Sequence, residues 1–406
     1  MASFPQFIAQ RIGSQRGSAF ARFIARIAIG SVAIGMAAAI LSSAIFQGFR
    51  HTIQEKIFSF SGHVQLSKYN REDAYEVQPV PVHADIYRQA GEIEEVAHIQ
   101  RVIYKAGLLK TDDEVMGLVF KGVGTDFDTL RFYHNLVEGR GLDLPDSGYS
   151  SQVLLSRRVA EKMRIGVGSK VLMYFVQDPP KYRMLEVCGL YDTGIEDFDD
   201  LLLLGDYRLL QRINNWGDSL VGGFEVFGHG FEAMPDLMQA LLVHKDYYLD
   251  ATPVTDKYGH LFDWFFMINQ HIKAILAIIL SVAAFNIISV VLIMIIERTE
   301  MIGTLKALGA SSRQLRRIFL LRGFRIAAQG LLWGNGLGIG LAALQQHTRL
   351  LPLDPANYYM DAVPVLFHWP SILLFNAVAI LLVLGILLVP TFIIARISPI
   401  KAIKFD

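Results

Sequence analysis

One cysteine in 406 residues, Cys188, removes two kinds of chemistry at once. An intramolecular disulfide cannot form, and a cysteine-based metal cluster cannot be assembled. Cys188 sits in the alternating run RMLEVCGLY and reads as a buried, inert thiol. Net charge is also missing: 38 Lys and Arg stand against 38 Asp and Glu, so no nucleic-acid partner is expected. The phosphate-cradling string G-x-x-x-x-G-K-[ST] is absent, and RIGVGSKV, its nearest approach, lacks the spacing. Neither H-E-x-x-H nor a G-x-S-x-G elbow occurs, and the histidines are scattered. These absences predict a chain with no catalytic residue, no metal site and no cofactor of its own.

Apolar residues are abundant instead: 52% of the chain is hydrophobic, although 19% is charged, and mean hydropathy is +0.35. A membrane protein with a large water-soluble part reconciles these figures. We read the chain as a cytoplasmic interfacial helix over 1–19, then a first span over 20–47 with its apolar run at 27–46. That run is too long for the apolar region of a cleaved signal peptide. Residues 48–265 hold no membrane-length apolar run and form an outer domain large enough for its own core. Further spans follow at 266–296, 323–345 and 371–395. A loop at 297–322 and a tail at 396–406 are cytoplasmic, and 346–370 is an outer loop. Arg and Lys beside the spans set this orientation.

The outer domain alternates strand-like and helix-like runs, an α+β pattern. Strands are expected at 62–67, 101–109, 115–123, 170–175, 184–190, 201–204 and 222–227, and helices at 83–92, 156–163, 207–214 and 231–243. Its acidic group, Glu196, Asp197, Asp199 and Asp200, lacks the D-x-D-x-D-G order of a calcium loop and reads as a solvated turn. In the spans, small residues recur every four positions. Ser31, Gly35, Ala39 and Ser43 form one row, Gly330, Gly334 and Gly338 another, and Gly336 with Gly340 a third. Such rows allow two helix backbones to approach closely in lipid. Asn286, in mid-span, is expected to hydrogen-bond another helix.

The loop between the second and third spans carries the most local signal. Met301, Leu305 and Leu308 fall on one helical face, while Glu297, Arg298 and Lys306 can face water. Gly309 suits a left-handed helix end, and Ser311 with Gln314 spells a capping box for the next helix. Arg313, Arg316, Arg317, Arg322 and Arg325 then lead into the third span. The pattern fits a docking element for a cytoplasmic partner, or a membrane-surface helix with a basic anchor.

The string FNIISVVLIMIIERTEMIGTLKALGAS resembles the second membrane helix and coupling helix of permeases of the lipoprotein-releasing ABC transporter family. That family shares its fold with MacB-like and FtsX-like permeases. Two outer-domain strings, EGRGLDLPDSGYSSQVLLSRRVAEKMRIGVGSKVLMYF and LYDTGIEDFDDLLLLGDYRLLQRI, and the ending ARISPIKAIKFD are similar to the same family. The resemblance implies four transmembrane helices with a large α+β periplasmic domain inserted between the first and second. It implies an inner-membrane permease that pairs with a second permease, or itself, and with a cytoplasmic ABC ATPase dimer, where ATP and Mg would reside. It implies a lipoprotein cargo, extracted from the outer leaflet, and ATPase docking through Glu300, Met301, Leu305, Lys306, Leu308 and Gly309. A periplasmic lipoprotein carrier is a further partner of some members, which capture it with a long proline-bearing hairpin. Here VLMYFVQDPPKYRMLEVCGLY offers only the short turn at 177–182, a departure from that pattern. An activator of cell-wall hydrolases, an efflux permease and a four-span sensor or adhesion protein are the competing functions.

Overall fold

The computed structural model describes residues 19–68, 78–112, 114–145, 147–354 and 360–396. The expected interfacial helix at 1–19, Ala19 apart, and most of the tail lie outside the described residues. The chain divides into two compact units. One takes its described residues from Met1–His51, Trp264–Pro352 and Ala362–Asp406, and the other from Thr52–Asp263 and Leu353–Asp361.

Among the described residues five helices concern the first unit: α1 (Ala19–Ser61), α2 (Gly259–Glu297), α3 (Thr299–Ala307), α4 (Ser312–Thr348) and α5 (Trp369–Arg396). Both α1 and α2 run past the apolar stretches read from sequence, and each contributes residues to both units. Three helices among the described residues are long and apolar enough to cross a membrane: Phe23–Ser61, Phe262–Glu297 and Trp369–Pro390. The expected third span, inside α4, is long but less apolar, its run holding glycines, Gln329 and Asn335. The core of this unit is built from all five helices, with Met36, Ile40, Val291, Ile302, Leu315 and Leu387 among its buried residues.

The second unit is built on a ten-stranded mixed sheet. Its strands are β1 (Val64–Ser67), β3 (His98–Lys110), β4 (Val115–Val123), β5 (Leu136–Gly139), β6 (Gln152–Ser156), β7 (Lys170–Phe175), β8 (Lys181–Tyr191), β9 (Leu202–Asp206), β11 (Gly223–Phe227) and β12 (Asp250–Pro253). They pair in the order β12-β1-β11-β3-β4-β9-β6-β8-β5, while β7 pairs with β3 and β8. The pairs β4–β9 and β6–β8 are parallel and the rest are antiparallel. A separate ribbon joins β2 (Val80–Pro81) to β10 (Leu220–Val221). The runs expected at 115–123 and 170–175 coincide with β4 and β7. Strands β5 and β12 are too short and polar to announce themselves.

Helices cover the sheet where the sequence signals them. Asp206 caps Tyr207–Asn214, its carboxylate accepting from the Arg208 N–H at 2.9 Å. Ser156 caps Arg157–Met163 by accepting from Val159 N–H at 3.0 Å. Gly122 in β4 allows the first of these helices to lie close: a Cβ there would sit 2.6 Å from the Tyr207 Cα. Phe60, at the end of α1, stacks on Phe198 at 4.7 Å and meets Phe132 edge-on at 5.7 Å. Aromatic faces thus fasten the last turn of α1 in the core of this unit.

Candidate functional site

The turn after α2 is built by a sequence of local devices. Only Arg298 separates α2 from α3, and its carbonyl accepts from Ile302 N–H at 2.9 Å. Ile302 is fully buried beside Ile295 and Leu315, which fixes the roll of α3. Burying such a side chain contributes about 2–3 kcal/mol. Helix α3 ends in a Schellman motif. Gly309 takes φ +95°, its N–H donates to Lys306 O at 3.0 Å, and Ala310 N–H donates to Leu305 O at 2.9 Å. Two residues on, Ser311 and Gln314 form the reciprocal capping box that starts α4, at 2.9 and 3.3 Å.

These devices redirect the face expected to be free. Met301 and Leu305 pack, half-buried, against the core around Ile302. Leu308 alone of the three stands out, 80% exposed. Of the expected apolar face, Met301 and Leu305 are thus partly used within the chain, and Leu308 is left exposed. The helical wheel gives the spacing, but the roll is decided by Ile302, which sequence reading passed over. The outward surface consists of Glu300, Thr304, Ala307, Leu308 and Gly309. Lys306 is half-buried beside it.

The small residues in the helices divide by face. A Cβ on Gly330 would lie 2.7 Å from Val32 Cβ, one on Gly334 2.6 Å from Met36 Cβ, and one on Gly338 3.0 Å from Ala37 Cα. This row of α4 lies directly on α1. Gly35 faces Ile279 of α2, where a Cβ would lie 3.0 Å from a methyl, and Ala39 is buried. Gly336 and Gly340 meet nothing within 4 Å, so the third row has no partner helix among the described residues. Asn286 donates to Ser31 Oγ at 2.6 Å, the helix–helix bond expected of it. A second amide pair escaped sequence reading. Asn335 of α4 and Asn376 of α5 exchange hydrogen bonds at 2.8 and 2.9 Å, and each also donates to a carbonyl one turn back. Two asparagines 41 positions apart in apolar runs give no local sign that they meet.

In the second unit the acidic cluster is fully partnered. Arg158 bonds Glu196 at 2.9 Å and Asp200 at 3.0 Å, Lys162 bonds Asp200 at 3.0 Å, and His260 lies 2.8 Å from Asp197. Asp199 is buried and accepts from Thr193 Oγ1 and Gly194 N–H; burial nevertheless pushes its carboxyl up to about 6. Among the described residues no group of three His, Cys, Asp or Glu is placed to hold a metal ion. The charged group that sequence reading missed lies inside the sheet. Lys121 of β4 and Glu225 of β11 are wholly buried and 2.8 Å apart. Glu225 also accepts from Gln100 Nε2 at 2.8 Å and Tyr104 OH at 2.5 Å. Burial pushes the Lys121 ammonium down, against the pull of Glu225 beside it.

Residues 273–399 match the family described as FtsX-like permease C-terminal, and residues 27–226 match the MacB-like periplasmic core domain. The chain is 21% identical to the lipoprotein-releasing system transmembrane protein LolC of Xylella fastidiosa (strain 9a5c), over 97% of this chain and 96% of that one. It is also 21% identical to the corresponding LolE protein of Haemophilus influenzae, over 98% and 99% of the two chains. The periplasmic region of MacB from Actinobacillus actinomycetemcomitans aligns with 49% of this chain and 92% of its own, at 12% identity and a TM-score of 0.31.

Proposed function

We propose that this chain, a permease joining a MacB-like periplasmic core domain to an FtsX-like C-terminal part, is a membrane subunit of an ATP-driven transporter that releases lipoproteins. It sits in the inner membrane with four spans, both termini inside and the second unit in the periplasm. A separate cytoplasmic ABC ATPase dimer holds ATP and Mg, and a second permease, identical or related, completes the membrane part. Likeness along nearly the whole length of two lipoprotein-releasing permeases supports the class of cargo. Lipid anchors are held by about 0.8 kcal/mol per buried CH₂, so extracting a multiply acylated protein calls for an energy source. The short turn at 177–182 argues against carrier capture by a long hairpin.

The observation that carries the docking assignment is the braced turn at 298–311. Ile302 anchors it, the Arg298 carbonyl holds its start, Gly309 and Ser311 fix its far end, and Leu308 projects from it. A leucine held outward on a rigid turn suits a pocket on a partner, and Glu300 supplies a rim charge that tunes encounter. Force applied to such a turn reaches α2 and α4 without slack, because one residue separates it from α2. The test is Leu308→Asp in the full chain, co-expressed with its ATPase, with Tyr247→Asp on the second unit as control. Tyr247 is 96% exposed. The Leu308 variant should insert normally, lose most of its copurifying ATPase and stop releasing lipoprotein, while the control keeps both. Full ATPase retention with normal release would remove the docking role.

A further inference from the structure

The chain enters the second unit along α1 and leaves it in the first turns of α2, and the segments at both ends lead to one buried carboxylate. At the first junction the Phe60 carbonyl, in the last turn of α1, accepts from the Lys121 ammonium, which is paired with Glu225. At the second, Lys257 Nζ donates to Gln65 Oε1 at 2.9 Å, Gln65 Nε2 to Tyr104 OH at 3.3 Å, and Tyr104 OH to Glu225 Oε1 at 2.5 Å. The junctions also touch directly. Ser61 Oγ donates to Tyr258 OH at 3.4 Å, and Phe198 lies between Phe60 and Tyr258, stacked on the first at 4.7 Å and edge-on to the second at 5.1 Å.

Stability alone does not call for ions here, since a well-packed apolar pair of similar volume serves a core as well or better. What an ion pair adds is direction. The unpaired carbonyls of a last helical turn point along the axis, and an ammonium set against them fixes where the helix ends. Glu225 holds that ammonium in place, and β1, β3, β4 and β11 carry the network across adjacent strands. We propose that Lys121 and Glu225 are a positioning pair. They fasten the end of α1 and the approach to α2 to the sheet, so that movement of those helices is passed to the periplasmic unit. The inference deepens the transport reading and rests on it for the last step only.

The test replaces the pair by apolar residues, Lys121→Met with Glu225→Leu, in the full chain assembled with its ATPase. The variant should melt near the wild type and keep its ATP hydrolysis. Amide exchange at 58–62 and 254–258 should quicken by about tenfold or more, with β6 and β9 unchanged. Release of a triacylated model lipoprotein per ATP hydrolysed should fall by about tenfold, because the stroke no longer reaches its load. If the double variant fails to fold, Glu225→Gln, which preserves volume, should show the same local exchange and coupling loss. Unchanged exchange and an unchanged release-to-hydrolysis ratio overturn the proposal. Quickened exchange in a system whose wild type releases no lipoprotein supports the fastening and sinks the transport reading instead.

Discussion

His63 and Asp199 are both buried, and each titrates far from its ordinary range in opposite senses. Burial pushes His63 from 6.5 down to about 4, with Arg131 adding to the effect; its Nδ1 accepts from Gly228 N–H and its ring stacks on Phe58 at 4.1 Å. The stability held by neutral His63 is present above pH 6.5 and is lost as pH falls towards 4, in all roughly 3 kcal/mol. Asp199 is raised from 3.8 to about 6, so its stabilising form is the protonated one. Its contribution is complete below pH 3.8, is lost as pH rises through 6, and is of similar size. The two terms offset one another between pH 4 and 6. Asp199→Asn removes one of them, and the melting temperature of the full chain should then fall more steeply from pH 7 to 4 than the wild type's. Equal slopes for the two proteins would show that the residues are not opposed. At this scale the sequence conceals much. Lys121 in VFKGV and Glu225 in GFEVF read as the outward members of alternating strands, and only a sheet covered on both faces turns them inward.

Helix ends and helix faces were legible to different degrees. Gly309, Ser311 and Gln314 act through bonds spanning four residues or fewer, so their spacing alone located the break between α3 and α4. Which side of α3 is buried depends on Leu315 and Ile295 from other helices, and no local period carries that. The glycine rows on α4 make the same distinction testable. Both rows have the small-xxx-small spacing, yet one lies on α1 and the other on open space. Gly334→Leu would place its Cβ 2.8 Å from the Ala33 carbonyl as well as against Met36, forcing α1 and α4 apart. A loss of about 1–3 kcal/mol, or failure to assemble, is expected from such overpacking. Gly336→Leu in the single chain should melt within a degree or two of the wild type. Thermal unfolding of both variants in detergent decides the matter, and equal losses would mean the two rows are not distinguished by their packing.

The number of crossings is a property of the whole molecule, and α4 decides it. Among the described residues three helices are apolar enough to cross by composition, and α4 is not one of them, its glycines, Gln329 and Asn335 lowering its hydropathy. Part of that set is turned to neighbouring helices, although Gly336 and Gly340 are exposed. Gly330, Gly334 and Gly338 lie on α1, and the Asn335 amide is satisfied by Asn376 and the Leu331 carbonyl. A helix that spends part of its small and polar groups on neighbours can cross a bilayer at lower hydropathy than one standing alone. Four crossings therefore remain the expected topology, and single cysteines can read it. The native chain is a silent background, since Cys188 is buried and its thiol is pushed up to about 11. Leu130, Leu308 and Leu350 are exposed positions on the second unit, on the turn after α3 and beyond the end of α4. A membrane-impermeant maleimide added from outside should label Leu130→Cys and Leu350→Cys and spare Leu308→Cys until the membrane is opened. Labelling of Leu308→Cys from outside would invert the architecture. A Leu350→Cys that is spared while Leu130→Cys is labelled would leave α4 on the cytoplasmic side and reduce the crossings to three, which would place the chain's end outside.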